Sequence, residues 1–232
     1  MIRQRLQALR EHIGELATAS GRSPDVIRLI AVSKTRPLSD VEQAIAAGQT
    51  DFGENTIQDA LSKIPCVHAA DIQWHFIGHL QSRKARAIPG NFQWIHSVDS
   101  LKLAGKLSAA MQQADISQPL NALIQVNVSG EASKSGLMPQ DAPAFVEQLL
   151  QADYPLIAWR GLMTIGVRAD NNATRRAFSG LRELQQRIQQ QFALPQFDQL
   201  SMGMSADYAE AIAQGATLIR VGTGIFGPRI TG

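Results

Sequence analysis

The order of hydrophobic and polar positions along the chain predicts alternating strands and helices. Beyond residue 27, short runs rich in β-branched and aromatic residues are each followed by a segment with helical apolar spacing. The strand candidates are residues 28–34, 50–55, 73–78, 92–98, 120–128, 156–165, 197–202 and 217–223. This alternation favours βαβ units and a parallel sheet. Eight such units in about 205 residues predict an α/β fold of the (β/α)8 TIM barrel type.

An additional helix is predicted before the first strand, over residues 1–20. Its apolar residues alternate at spacings of four and three, which marks one buried face: Ile2, Leu6, Leu9, Ile13 and Leu16. Charges are spread through this segment and no apolar h-region follows them, so we do not expect a signal peptide. Because no linker, repeat or low-complexity segment interrupts the pattern, we expect residues 1–232 to form a single domain.

Composition narrows the class of protein. The chain of 232 residues is 44% hydrophobic and carries a formal net charge of +2, with a sequence pI near 8.9. No basic block tracks a phosphate backbone and no apolar run has membrane length, so we expect neither a nucleic-acid nor a membrane partner. The single cysteine, Cys66, excludes an internal disulfide and favours the cytoplasm. We assign this thiol no role, since no base partner is evident.

A lysine closes the first predicted strand. In a (β/α)8 barrel the chemistry lies on the loops that leave the carboxyl ends of the strands. Period-two alternation places Ile30, Val32 and Lys34 on one face, which makes Lys34 an inward amine at the barrel mouth. A desolvated lysine is a candidate nucleophile, whereas a lysine that extends from the strand end into water has no chemical role. The residues alone leave both interpretations open.

The loops after the seventh and eighth predicted strands carry residues suited to an anion. In the first loop Ser205 is a good N-cap for the next helix, and Gly203 would let the backbone approach a ligand. In the second loop Gly222 and Thr223 would offer backbone N–H groups and a hydroxyl. Such loops commonly form the phosphate site of these barrels, although a capped helix and a glycine turn would look similar. Asp207 would compete with a phosphate for the helix end.

Arg220 is the third candidate at this end of the barrel. Alternation along the eighth strand places it on the inward face with Leu218 and Gly222. A buried guanidinium stays charged and needs an acceptor. That acceptor is either a carboxylate such as Glu54, in a structural ion pair, or a neutral group such as a ring nitrogen of a ligand.

Two familiar sequence motifs do not indicate the binding sites that they usually mark. Residues 222–227 match G-x-G-x-x-G, but no helix and no acidic residue follow at the required spacing, so we reject a dinucleotide site. His75 and His79 lie on a strand and its exit, roughly 13 Å apart at about 3.3 Å per residue, so we expect no metal site. We expect the three tryptophans to pack under the helices: Trp74, Trp94 and Trp159.

The combined motifs resemble a known family. The segments AVSKTRP, FGENTIQDA, WHFIGHLQSRK, VNVSGEASKSG, RGLMTIG and LSMGMSADYAEAIAQGATLIRVGTGIFG follow in family order over nearly the whole chain. They resemble the pyridoxal phosphate homeostasis protein family, whose barrel is similar to the N-terminal domain of alanine racemase. The resemblance implies pyridoxal 5′-phosphate as the cofactor.

The resemblance also implies roles for particular residues. Lys34 would hold the cofactor as a Schiff base, Arg220 would face the pyridine nitrogen, and Asn55 and Met163 would lie near the ring. The residues expected around the phosphate are Ser201, Gly203, Ser205, Gly222 and Thr223. Arg83 departs from the family, which usually has asparagine there, and this puts partner or substrate contacts in doubt more than cofactor binding.

The implied function is intracellular vitamin B6 homeostasis with little or no catalysis. An arginine at the pyridine nitrogen keeps that atom unprotonated, which weakens the ring as an electron sink. In alanine racemase a tyrosine from the partner subunit acts as a second base, whereas this chain has only Tyr154 and Tyr208, for which we expect no such role. The alternatives are an amino-acid racemase or related enzyme that uses this cofactor, and a Schiff-base aldolase without it. We expect a monomer that exchanges cofactor with apoenzymes dependent on it.

Overall fold

The structure is a computed structural model that describes residues 1–131, 134–167 and 170–228. Its centre is a closed barrel of eight parallel strands, in which each strand pairs with the next in the chain and the eighth pairs with the first. The strands are β1 (Arg28–Val32), β2 (Asp51–Glu54), β3 (Gln73–Phe76), β4 (Trp94–Val98), β5 (Leu120–Gln125), β6 (Ile157–Met163), β7 (Gln199–Ser201) and β8 (Leu218–Val221). The predicted (β/α)8 barrel is therefore confirmed.

Helices surround the barrel. They are α1 (Ile2–Ala19), α2 (Leu38–Ala46), α3 (Ile57–Leu61), α4 (Leu101–Gln113), α5 (Ala142–Gln151), α6 (Asn171–Gln191), α7 (Tyr208–Ala213) and α8 (Thr223–Phe226). Short 3-10 helices occupy Pro24–Val26, Ile64–Cys66 and Ser82–Ala87, the last of them in the connection from β3 to β4. In the part of the chain that the structure describes, no helix combines the length and apolar character needed to cross a bilayer.

The hydrophobic core has two parts. The larger part lies between the strands and the helices and includes Trp74, with Trp159 packed against it. The smaller part fills the barrel interior and consists of Ile30, Trp94, Leu123, Met163 and Leu218. The expectation that Trp94 packs under the helices was wrong, because its strand position faces the barrel axis, where the indole stacks on His75 at 5.5 Å between ring centroids.

The extra helix α1 packs against α2, α7 and α8, outside the place where β8 meets β1. Its first four predicted apolar positions are buried, while Leu16 is partly buried and Ala17 takes the fifth core position. Gly21 adopts φ +68 after the helix. The Ser23 hydroxyl then caps the 3-10 turn that begins at Pro24, as the sequence predicted.

Candidate functional site

Lys34 lies at the carboxyl end of β1, two residues beyond the last strand position. The side chain of Ile30 lies inside the barrel, while that of Ser33 points to Glu54, with its Oγ donating to Glu54 Oε1 at 2.7 Å. Lys34 follows in the turn that leaves β1, where it is half-buried at the carboxyl end of the barrel.

A buried ion pair holds the backbone just before Lys34. Lys63 Nζ donates to the Ser33 carbonyl at 2.8 Å and to Glu54 Oε1 at 2.8 Å, and both side chains are almost completely buried. Burial raises the pKa of Glu54 to about 7, against the opposing hydrogen bonds from Lys63 and Ser33. The ion pair considered between Glu54 and Arg220 was therefore wrong, because Glu54 faces Lys63 and not the barrel axis.

Arg220 lies inside the barrel, as the alternation along β8 predicts. Its side chain donates from Nη1 to Ser201 Oγ at 2.6 Å and from Nη2 to the Thr164 carbonyl at 2.8 Å. The residue is 5% exposed. Burial lowers the pKa of the Arg220 guanidinium to about 10, so it remains a cation at neutral pH. Among the described residues it forms no ion pair, which leaves its other N–H groups to a further acceptor.

The loop after β7 differs from the predicted helix cap. Helix α7 begins at Tyr208 with Asp207 at the N-cap position, whereas Ser205 lies in the turn before it. The expectation that Ser205 caps the helix was therefore wrong. Asp207 Oδ1 accepts a hydrogen bond from the Met204 N–H at 2.6 Å. One carboxylate oxygen is thus used within the loop, where it occupies a donor that a phosphate would otherwise contact.

Gly203 is required by packing against α7. It adopts φ +93, and a Cβ built on it would lie 2.5 Å from Ala211 Cβ and 3.0 Å from Tyr208 Cα. A side chain there would meet the helix, so the absence of Cβ lets the helix, and not a ligand, approach the loop on this side.

The two loops after β7 and β8 come together and present unused donors. A Cβ built on Gly224 would lie 4.0 Å from Ser205 Oγ. Within the described residues, no protein group accepts a hydrogen bond from the backbone N–H groups of Gly203, Ser205, Gly222, Thr223 or Gly224. Backbone N–H groups that have no acceptor within the protein are suited to an anion such as a phosphate.

Three other predicted residues lie near this mouth. Asn55 follows β2, and its carbonyl oxygen lies so close to Gly78 that a Cβ there would be 2.0 Å away. Met163 ends β6 inside the barrel and is 1% exposed. Ser201 is fully buried beside Arg220, so its hydroxyl is committed to the guanidinium within the barrel interior.

Sequence reasoning missed a buried polar network across the barrel. His75 Nε2 contacts Asp51 Oδ1 at 3.0 Å and His75 Nδ1 contacts His96 Nε2 at 3.0 Å. His96 Nδ1 in turn contacts Ser201 Oγ at 2.8 Å, so the network ends at Arg220. Alternation of side chains along β3 and β4 was the sequence feature that could have suggested an inward position for His75 and His96. Their contact across the two strands depends on the stagger of the barrel, which the sequence does not show.

The remaining candidates lie elsewhere. Tyr208 OH contacts His12 Nδ1 on α1 at 2.7 Å, and Tyr154 packs against Trp159. Arg83 is exposed beside a groove of about 550 Å³ that also contains Arg86 and Lys102. No cluster of three or more potential metal-ligating side chains occurs in the described ranges.

Comparison with known proteins places this site in a class. Residues 4–229 match the family model described as the N-terminal domain of alanine racemase. A pyridoxal phosphate homeostasis protein of Pseudomonas aeruginosa is 47% identical over 229 residues, which cover 98% of this chain and 96% of the relative. One from Escherichia coli is 40% identical over 239 residues and covers 98% and 97%. The chain belongs to the pyridoxal phosphate homeostasis protein family.

Solved structures agree with this assignment. PipY of Synechococcus elongatus, solved without and with pyridoxal phosphate (PLP) bound, superposes with TM-scores of 0.88 and 0.85 at 38% and 37% identity. Each comparison covers 98% of this chain and 100% of PipY. An alanine racemase of Clostridium difficile shares the fold with a TM-score of 0.76 at 13% identity, over 99% of this chain and 57% of the racemase.

Proposed function

We propose that this protein binds PLP as a Schiff base on Lys34 and acts in intracellular PLP homeostasis with little or no catalysis. The observation that carries the proposal is that Lys34, the buried Arg220 and two loops with N–H groups that have no acceptor among the described residues all lie on strands or loops at the carboxyl ends of the barrel. The family relationship supports the same cofactor, since PipY has been solved with PLP bound.

The residues present fit this cofactor. The N–H groups of Gly203, Ser205, Gly222 and Thr223 would hold the phosphate, while the hydroxyls of Ser205 and Thr223 would supply further donors. Among these, Gly203 contributes through its N–H only, because its other side faces α7. Ser201, expected at the phosphate from the resemblance, would instead act through Arg220.

Arg220 would donate to the pyridine nitrogen, a neutral acceptor that suits a guanidinium without an ion-pair partner. Asn55 and Met163 would lie at the ring. The bound cofactor supplies an aldehyde for imine formation and a ring that can accept electrons. Lys34 Nζ would form the C=N bond with the aldehyde carbon, releasing water.

Low turnover is supported by the positions of the two tyrosines. A base acting on the opposite face of the ring would have to reach the mouth, but Tyr208 contacts α1 and Tyr154 packs against Trp159 before β6. Arg220 would also keep the ring nitrogen unprotonated, because a guanidinium with a pKa of about 10 has a proton to donate and no lone pair to accept one.

Reductive trapping tests the attachment site. Protein loaded with PLP is treated with borohydride, digested and analysed by mass spectrometry, and we expect a pyridoxyl adduct on Lys34. The variant Lys34→Ala should keep the circular dichroism of the fold and lose the visible absorption band, whereas Lys84→Ala should keep both. An adduct on Lys84 or Lys134 would show that the wrong lysine was chosen. No adduct on fully incubated protein would contradict PLP binding and leave the cofactor-independent aldolase.

Enantiomer exchange tests the absence of catalysis. Loaded protein incubated with L-alanine should produce D-alanine no faster than free PLP at the same concentration, as measured by chiral chromatography. Turnover well above that rate would support the racemase alternative.

We also infer that residues 1–232 act as a single domain, that the protein is a cytoplasmic monomer, and that it exchanges PLP with dependent apoenzymes. Light scattering at several concentrations tests the monomer, since a mass that rises above 25.2 kDa would contradict it. Mixing loaded protein with a PLP-dependent apoenzyme and a PLP scavenger tests direct transfer.

A further inference from the structure

The hydrogen-bonded network inside the barrel has a defined order. It runs from Asp51 on β2 through His75 on β3 and His96 on β4 to Ser201 on β7, and ends at Arg220 on β8. Both imidazoles are completely buried. The network therefore joins the amino-terminal end of the barrel, where Asp51 starts β2, to the candidate site.

The groups at the two ends of this network determine which atom donates in each of its hydrogen bonds. At one end Arg220 can only donate, so Ser201 Oγ accepts from it, and the Ser201 O–H is available to donate to His96 Nδ1. His96 Nε2 then carries a hydrogen and donates to His75 Nδ1. His75 Nε2 in turn carries a hydrogen and donates to Asp51. Starting from the Asp51 carboxylate, which can only accept, gives the same order.

The opposite order leaves groups unsatisfied. If His96 carried its hydrogen on Nδ1, Ser201 would accept twice and its own hydrogen would have no partner in this chain of contacts. His75 would then place a bare nitrogen against the Asp51 carboxylate. Buried polar groups without partners are costly, so the first arrangement is strongly favoured.

The surroundings keep both imidazoles neutral. Burial lowers the pKa of His75, against the hydrogen bond and charge of Asp51. Burial lowers the pKa of His96 well below its ordinary value, and the charges of Arg220 and Arg28 act in the same direction. Asp51 itself remains a carboxylate: burial acts to raise its pKa, but the hydrogen bonds from His75 and Thr50 and the charge of Arg28 outweigh burial and lower the pKa.

We propose that His75 and His96 are positioning residues that fix the Ser201 hydroxyl as an acceptor toward Arg220 and thereby hold the guanidinium for the ring nitrogen of the cofactor. The step from guanidinium to cofactor rests on the proposed function. The proton order itself does not, since it follows from contacts within the protein. In this proposal the Arg220 side chain at the PLP site is oriented by a hydrogen-bonded network that begins at Asp51, at the opposite end of the barrel.

The proton order is tested without cofactor. In apoprotein with 15N-labelled histidine, we expect His75 and His96 each to show the neutral form with hydrogen on Nε2, at neutral pH and at about pH 6, where an unperturbed imidazole is largely protonated. Assignment uses His75→Gln and His96→Gln. An imidazolium signal at about pH 6, or hydrogen on Nδ1 of either ring, would overturn the proposal. This result is independent of whether PLP binds.

The effect on the site is tested with Asp51→Asn, which keeps the side-chain shape. An amide N–H can then donate to His75, so that each hydrogen bond between position 51 and Ser201 can reverse its donor and acceptor. We expect weaker PLP binding, by about three- to tenfold, and a shifted absorption maximum of the bound cofactor. Arg28→Gln is the matched control, because Arg28 pairs with the same carboxylate at 3.5 Å and acts on the two imidazoles through its charge alone, which lowers the pKa of both.

An unchanged spectrum and affinity in Asp51→Asn, or an equal change in Arg28→Gln, would overturn the positioning role. If wild-type protein binds no PLP, the proposed function fails instead, and the NMR experiment still decides the proton order.

Discussion

Replacing Gly203 with alanine tests why a glycine stands in the loop before α7. The sequence indicated that Gly203 lets a ligand approach, whereas the structure shows helix α7 on the side where a Cβ would project. The substitution adds a single methyl group. It leaves the loop N–H groups and every candidate cofactor contact chemically unchanged.

Two structural observations set the size of the effect. The φ of +93 is a conformation that an L residue adopts only with strain, which costs about 1–3 kcal/mol. The added Cβ would lie 2.5 Å from Ala211 Cβ, and such overpacking costs about 1–3 kcal/mol. Because a backbone shift relieves part of both, we expect a total loss of about 2–4 kcal/mol. For a domain of this size, that corresponds to a fall in Tm of roughly 5–15 °C.

Urea unfolding followed by circular dichroism measures the loss. The matched control is Gly180→Ala in α6, where nothing lies within 4 Å of the added Cβ and φ is ordinary. The same chemical change should there stabilise the protein by about 0.5–1 kcal/mol, because alanine is the better helix former. The PLP affinity of both variants is measured under conditions where each is folded.

A Gly203→Ala protein that unfolds at the wild-type urea concentration would refute the packing argument. If its stability were unchanged while PLP affinity fell more than tenfold, the glycine would serve ligand approach, as the sequence indicated.

Two further predictions concern pH. The pKa of Glu54 is raised from 4.5 to about 7 in the folded state, so its contribution to stability is present below about pH 4.5 and is lost as pH rises toward 7, by about 3 kcal/mol in total. Glu54→Gln should remove that decline in urea unfolding measured between these pH values, and the wild-type slope in the variant would contradict it. The pKa of His96 is lowered well below 6.5, so its contribution is present above pH 6.5 and decreases as the unfolded chain takes up protons at lower pH, by up to about 1.4 kcal/mol per pH unit. His96→Asn should flatten this part of the stability curve, and an unchanged slope below pH 6.5 would show that the imidazole is not kept neutral.

The barrel could be predicted because each of its strands and long helices is specified by residues that are neighbours in the sequence. Each strand is a short apolar run between turn residues, and each long helix has a periodic buried face, so the order of elements follows from neighbours in the sequence. The inward position of Arg220 was predictable because alternation within one strand places it on the same face as Gly222, which was expected to approach a ligand from inside the barrel.

Side-chain contacts between neighbouring elements could not be predicted in this way. The pairing of His75 with His96, and of Glu54 with Lys63, depends on the relative stagger of neighbouring elements. Trp94 illustrates the same limit, because alternation within β4 does not tell which of its two faces lines the barrel axis. The start of α7 was misplaced because Ser205 and Asp207 are both good N-cap residues, and the turn over residues 205–207 that delays the helix to Tyr208 is not evident from the sequence.

The position of α1 has a consequence for how the protein is made. This helix is synthesised about two hundred residues before α7 and α8, against which it packs. The apolar face formed by Ile2, Leu6, Leu9 and Ile13 therefore stays uncovered on that side until the last strand and α8 have left the ribosome. Because β8 also closes the barrel against β1, docking of α1 and closure of the barrel both come late in the synthesis of this domain. Nascent chains truncated before β8 should consequently depend on chaperones that bind exposed apolar helices.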